Sequence, residues 1–382
     1  MSNDILNHIK KLQLNDVLEN EWAKNRCPVG ATFEITPVCN LDCVHCYLSN
    51  DKKRSNELSY DKIIRILDIL WGNGILFLTL TGGEVFTRID FKDIYLYAKK
   101  KGFLITVFTN GTLINDDWAI LFKDYPPFLI DLSIYGACKE TYFKVTGNAD
   151  AFNKFINTLE LLKRYDLRFA LKAPLLTINS YELPDMHKIN DKYCKEKLRF
   201  SFEIAPDRNN DDLPLQYEVN ELDALLQEIN DGLMTKGLSE NSINKNEWRI
   251  AKDKGEFVPS HLCMIGNIDF HVDYLGNIAA CIECPDKFNI FEYDFSYIWD
   301  QIGKYKKIEA NNVYPCIKCD SLYYCKSCPQ LRRRKYGNEQ VVNTKDCIAA
   351  KLKKKYYADK VSIEELKNYY KRIKGGEQND VH

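Results

Sequence analysis

From residue 31 to about 205, short apolar, β-branched runs alternate with stretches of helical period, and this alternation constrains the fold more than any other feature. The runs ATFEIT, ILFLTL, FLITVF, FLIDLSI, RFALKAPL and LRFSFEI are separated by segments such as YDKIIRILDILW and FNKFINTLELLKRY. Strand–helix repeats in that order need parallel strands joined by crossover helices. The fold class is therefore α/β, either doubly wound or a partial barrel. In both architectures function gathers at the carboxyl ends of the strands.

Composition narrows the function. The 382 residues are 45% hydrophobic and 28% charged, enough to bury a core. Lys and Arg number 53 against 54 Asp and Glu, so neither a nucleic-acid partner nor an anionic membrane is expected. The polar start MSNDILNHIKKLQLND is not a signal peptide and no apolar run approaches about eighteen residues, so a cytoplasmic location is expected. Against that background, 14 cysteines are too many for ordinary packing. Cys39, Cys43 and Cys46 form one group. Cys263, Cys281, Cys284, Cys316, Cys319, Cys325, Cys328 and Cys347 form a second. Thiols at such gaps, without an export signal, read as ligands for zinc, copper(I) or iron–sulfur clusters. A closed site takes four ligands, so three thiolates leave one metal position open to a substrate or cofactor.

Along the chain, residues 1–29 read as a short helical extension and 30–206 as the parallel α/β region. Residues 207–262 begin with the turn-rich DRNNDDLP and continue into an amphipathic helix, a connector. Residues 263–350 carry the second cysteine group with few apolar segments and are expected to depend on metal for folding. Residues 351–382 complete the chain as a helix and tail; the Lys-rich helix is expected over 349–372, its charge a solvated face.

The stretch FEITPVCNLDCVHCYLS sets Cys39, Cys43 and Cys46 in C-x3-C-x2-C spacing directly after the first strand, followed by Tyr47. It resembles the signature of the radical S-adenosylmethionine (SAM) enzymes. The resemblance implies a partial (βα)6 TIM-like barrel, with three thiolates holding a [4Fe–4S] cluster whose open iron binds SAM. Reduction then releases a 5′-deoxyadenosyl radical that abstracts hydrogen. Other segments resemble the family in order. Thr81, Gly82, Gly83 and Glu84 end strand two, where glycine permits close backbone approach and Glu84 complements an ammonium. Asn110 follows strand three and Ser133 ends strand four. Lys172 and Asn179 lie on and after strand five. The resemblance makes all of these, with Tyr47, candidate SAM contacts; for Ser133, Lys172 and Asn179 ordinary strand-end polarity is the alternative. A partial zinc site borrowing His45 is the alternative for the first cluster.

The second group reads Cys263-x12-Gly276-x4-Cys281, then Cys316-x2-Cys319-x5-Cys325-x2-Cys328, then Cys347. It resembles the SPASM extension of radical SAM enzymes, a small iron–sulfur-cluster-binding domain. The Cys325–Cys328 gap is one residue short of the family pattern, and Cys284 is extra. The resemblance implies one auxiliary [4Fe–4S] cluster on Cys316, Cys319, Cys325 and Cys347. A second would sit on Cys263, Cys281 and Cys328, with Cys284 the candidate fourth ligand and an open iron the alternative. By spacing alone C-x2-C-x5-C-x2-C also fits structural zinc.

With SPASM extensions, radical SAM enzymes mostly modify peptides by thioether or C–C crosslinks, epimerisation or formylglycine formation. The resemblance therefore implies a peptide substrate, three [4Fe–4S] clusters, SAM, and an electron donor such as flavodoxin or ferredoxin. With only about thirty residues before the first strand, leader recognition is expected from a separate protein or the catalytic body; the run Arg332, Arg333, Arg334 and Lys335 reads first as a solvated loop, with a grip on an acidic leader as the alternative. Cys138, past strand four, is a candidate hydrogen donor; Cys27 and Cys194 are expected to pack. Formylglycine formation, small-molecule dehydrogenation, and a non-catalytic zinc or iron–sulfur protein are the alternatives.

Overall fold

A computed structural model of the chain describes residues 22–23, 25–48, 57–232, 266–304 and 314–375. Each expected strand forms. The strands β1 (Gly30–Thr36), β2 (Phe77–Gly82), β3 (Leu104–Thr109), β4 (Leu129–Ser133), β5 (Phe169–Pro174) and β6 (Arg199–Ser201) pair in parallel and in sequence order. Between them lie α1 (Tyr60–Gly72), α2 (Phe91–Lys101), α3 (Asp116–Asp124), α4 (Lys139–Thr146), α5 (Ala151–Arg164) and α6 (Leu183–Tyr193). Helix α1 shows why: the Ser59 side chain caps it, and Ile63, Ile66, Leu67 and Leu70 recur at i, i+3, i+4 and i+7 to form the buried stripe. Helix α2 stops at Gly102, whose φ of 104° serves the left-handed cap.

On the other side of β1 the sheet continues. The strand β7 (Asp269–Val272) pairs with β1 in parallel, and β8 (Asn277–Ala279) and β9 (Phe288–Asn289) follow antiparallel, giving the order β6-β5-β4-β3-β2-β1-β7-β8-β9. By contact the chain divides into two compact units, Met1–Glu218 with Met264–Gly303, and Val219–Cys263 with Lys304–His382. The cysteine-rich stretch 263–350 therefore falls in two pieces, because its first piece is recruited as sheet. Residues 1–21, expected as helix, lie outside the described residues.

Parallel pairing puts register partners on the same face, and the registers sort the strands into two chemistries. One face is apolar, with Phe33, Leu80, Val107, Ile130, Leu132 and Leu171 buried at partnered positions. The other carries Thr32, Glu34, Thr79, Thr81, Thr106, Asp131, Ser133, Lys172, Arg199 and, on β7, His271. Ionisable groups on the strands of a parallel sheet are costly to desolvate, so this polar face marks where the fold spends stability on a site.

The second unit contains α7 (Glu221–Asn230), α9 (Pro329–Tyr336), α10 (Thr344–Tyr357) and α11 (Ile363–Lys374), while α8 (Phe295–Ile302) belongs to the first. Leu225, Ile348, Leu352, Leu366 and Ile373 form its core. The single helix expected over 349–372 is two. Lys360 takes a φ of 56°, and Ser362 starts α11 with a reciprocal capping box to Glu365. Nor is the Lys-rich face wholly solvated: Lys353 pairs with Glu228 at 2.8 Å, and Lys374 reaches Glu221 at 3.2 Å.

Candidate functional site

The loop after β1 presents Cys39, Cys43 and Cys46, all half-buried thiols. Its conformation is fixed by backbone. Asp42 N–H donates to Thr146 O (2.9 Å) and Val44 N–H to Val145 O (3.0 Å), tying the loop to the end of α4, while Cys46 N–H donates to Cys43 O (3.1 Å). Asn110 then links loop and strand end. Its Nδ2 donates to Asn40 Oδ1 (3.0 Å) and lies 3.8 Å from Cys39 Sγ, which also accepts from Leu41 N–H (3.4 Å). The Asn110 Oδ1 accepts from Thr112 N–H and hydroxyl at 2.9 and 2.6 Å. Donors aimed at a cysteine sulfur suit a thiolate or cluster ligand.

The glycine-rich end of β2 packs against that loop's entry. Gly83 N–H donates to Thr36 O and Glu84 N–H to Val38 O, both at 2.8 Å. A Cβ on Gly83 would meet Val38 O at 2.3 Å and Pro37 O at 2.6 Å; one on Gly82, whose φ is 140°, would meet Thr36 O at 2.1 Å. The close approach that requires glycine is thus to the 36–38 backbone. Gly83→Ala is expected to destabilise the unit by about 1–3 kcal/mol through overpacking and to displace the cysteine loop, read by thermal melting and by iron content after reconstitution.

Glu84 is buried and braces strand ends. Its Oε2 accepts from Asn110 N–H (2.7 Å) and its Oε1 from the Thr109 hydroxyl (2.8 Å) and Phe86 N–H (3.3 Å). Burial pushes its carboxyl up to about 7, against those three bonds, so a cation arriving nearby draws it into the ionised form. Arg88, also buried, donates to Ile35 O (2.9 Å) and Leu58 O (3.1 Å) and pairs with Asp90 at 2.8 Å.

Sequence reasoning missed the group beneath. The Glu34 carboxylate accepts from the Tyr47 hydroxyl (2.9 Å), lies 3.1 Å from His271 Nε2, and is gripped by both its oxygens from Arg208. Arg208 lies over the rings of Tyr47 (5.3 Å) and Tyr274 (5.6 Å) and donates its backbone N–H to Tyr47 O (3.1 Å). Burial opposes ionisation of Glu34, but His271 and Arg208 overcome it and hold the carboxyl down at about 2. The signal for it was a glutamate inside an apolar strand, ATFEIT.

Farther along the polar face, Asp131 is buried, accepts from Arg199 Nη2 at 2.6 Å and lies 3.9 Å from Lys172 Nζ, which sits 3.1 Å from the Phe108 ring centroid. Burial lowers Lys172 to about 8; Asp131 opposes the fall and Arg199 adds to it. Ser133 and Lys172 are register partners, and Thr81 faces Glu34. Asn179, by contrast, is spent on structure. Its Oδ1 accepts from Leu176 N–H (2.6 Å), and its Nδ2 donates to Tyr135 O and Pro174 O (3.0 Å each), joining the ends of β4 and β5. Exposed Cys138 sits at the start of α4 with Sγ 3.4 Å from both Thr141 Oγ1 and Glu182 Oε1. Tyr135 leans toward the cysteine loop, 5.7 Å from the His45 ring, whose buried Nδ1 has no hydrogen-bond partner among the described residues.

Of the second cysteine group, Cys281 and Cys284 lie in the first unit, where Cys284 N–H donates to Cys281 O (3.1 Å) and Cys284 is buried. Cys263 lies outside the described residues. In the second unit, burial first and then Cys316, Cys325 and Cys319 push the Cys347 thiol up to about 12. Mutual crowding of this kind suits thiols that ionise only against bound metal. Among the described residues no three His, Cys, Asp or Glu side chains converge on one ion position. The thiolates of a four-iron cluster each take a different iron and need no such common point. The basic run is divided, since Arg332 is buried and unavailable to a leader. Among the described residues no helix is long and apolar enough to cross a membrane.

The profile of the radical SAM superfamily matches residues 33–210. The chain is 31% identical over 170 residues to the antilisterial bacteriocin subtilosin biosynthesis protein AlbA of Bacillus subtilis, covering 44% of this chain and 38% of that protein. It is 24% identical over 337 residues to the AdoMet-dependent heme synthase of Methanosarcina barkeri, covering 82% and 94%. The chain spans only between 38% and 44% of the length of the first curated relatives it matches. The solved structure of Streptococcus suis SuiB bound to precursor peptide SuiA matches at TM-score 0.63 and 16% identity, over 87% of this chain and 80% of that one, a likeness of fold.

Proposed function

We propose, from the match of residues 33–210 to the radical SAM superfamily profile, that the chain is a radical SAM oxidoreductase that modifies a peptide by hydrogen abstraction. The carrying observation is the thiol loop after β1, braced by Asn110 and by the glycine-rich end of β2. Cys39, Cys43 and Cys46 would hold a [4Fe–4S] cluster, which together with SAM would supply reductive cleavage of SAM and the radical chemistry that follows from it. Asn110 and Leu41 N–H hold the Cys39 sulfur; Glu84 fixes the strand ends and complements positive charge. Around Asp131, Lys172 and Arg199 leave a local surplus of one positive charge, which suits a substrate carboxylate. Tyr135 and Tyr142 are buried beside the cysteine loop, their rings 5.6 Å apart.

We assign Cys316, Cys319, Cys325 and Cys347 to one auxiliary [4Fe–4S] cluster, supported by their spacing and by the tight turns that bond Cys319 N–H to Cys316 O (3.2 Å) and Cys325 N–H to Leu322 O (3.1 Å). Cys281 and Cys284 are assigned to a second; both clusters would serve to take up an electron from the substrate radical. The peptide class is supported by AlbA, named for bacteriocin biosynthesis, and by the fold shared with SuiB. The long match to a heme synthase favours a porphyrin as the second reading. Reduced enzyme, SAM and a short peptide encoded beside the gene are expected to give 5′-deoxyadenosine together with a crosslinked or epimerised peptide. An unchanged peptide with consumption of an iron-porphyrin instead would replace the first reading by the second.

A further inference from the structure

Arg332 lies in α9, which begins just after Cys328, and is buried. Its Nε donates to Glu339 O (2.7 Å), its Nη2 to the Tyr314 hydroxyl (3.2 Å) and its Nη1 to the Ser327 hydroxyl. The Ser327 hydroxyl in turn donates to Asp346 Oδ2 at 2.6 Å. These partners mark the segments that carry the thiols: Tyr314 stands two residues before Cys316, Ser327 between Cys325 and Cys328, and Asp346 directly before Cys347. All three direct partners are neutral oxygens. The Asp346 carboxylate is reached only through the Ser327 hydroxyl, so a further anion close to the buried guanidinium offsets its desolvation. On the same helix Gln330 is buried with neither amide atom bonded among the described residues.

We propose that Arg332 is the positioning residue and counter-charge of the auxiliary cluster held by Cys316, Cys319, Cys325 and Cys347. It pins the three cysteine-bearing segments and balances the anion that four thiolates and a [4Fe–4S] core make together. This rests on the cluster assignment above. Because reduction adds negative charge, an adjacent fixed cation favours the reduced cluster.

The test uses the full chain with Cys39, Cys43 and Cys46 changed to alanine, reconstituted anaerobically, so that only auxiliary iron remains. Iron per chain and the midpoint of each cluster signal are read by paramagnetic resonance during a redox titration. Arg332→Met is expected to move one midpoint negative or to lose about four irons, and Arg332→Lys, which keeps the charge, to restore most of the iron and the midpoint. The proposal is overturned if Arg332→Met keeps both, or if the Met and Lys variants lose them equally. Cys347→Ala separates the two claims: if it retains all auxiliary iron, the assignment of the four cysteines falls, and the counter-charge with it.

Discussion

Cys43→Ala is expected to abolish reductive cleavage of SAM, with 5′-deoxyadenosine falling to the level found without enzyme. The loop leaves no substitute ligand in register. Asp42 and Val44, on either side of Cys43, are bonded through their backbones to the end of α4, so the thiol position cannot be taken over by a neighbour. The loss should be all-or-none rather than graded, since three thiolates are the minimum that holds the cluster and leaves one iron open. Iron should fall by about four per chain while the melting temperature changes little, because the side chain is only half-buried. Undiminished 5′-deoxyadenosine from this variant would remove the loop from the reaction.

Glu34→Gln carries the largest expected stability effect. It leaves Arg208 and His271 buried without their carboxylate, and breaking a buried ion pair from one side costs about 3–5 kcal/mol. The pH dependence has a definite direction. The folded carboxyl ionises at about 2 against an ordinary 4.5, so its contribution, about 3 kcal/mol, is complete above 4.5 and lost as pH falls toward 2. The parent should therefore lose more stability than the variant between those values, in denaturant melts taken at each pH. Parallel curves would show that the carboxylate is not what the cations hold. Because Tyr47 bonds both Glu34 and Arg208, the variant should also raise the KM for SAM.

The strands and the thiol loops were legible because they are local patterns: period-two runs, helical stripes and cysteine gaps can be read within a dozen residues. The polar face was only partly so. Lys172 stood out by resemblance, but Glu34, Asp131, Arg208 and His271 acquire meaning through register and through partners 174 residues apart, as in the Arg208–Glu34 bond. An ionisable residue in each of ATFEIT, FLIDLSI and RFALKAPL was the available sign. The β7–β9 extension was hidden because its strands are two to four residues long and are held by long-range pairing, β7 on β1, then β8 on β7 and β9 on β8. Arg332 was misread for a related reason: within a run of basic residues, sequence does not say which one faces inward.

The central claim is that the clustered thiols hold iron–sulfur clusters for radical chemistry. Its most direct measurement is metal and sulfide content of anaerobically purified full-length chain, followed by product analysis after dithionite reduction with SAM. The expected result is brown protein with about twelve irons per chain, yielding methionine and 5′-deoxyadenosine. Colourless protein holding zinc, with SAM left intact, would contradict it.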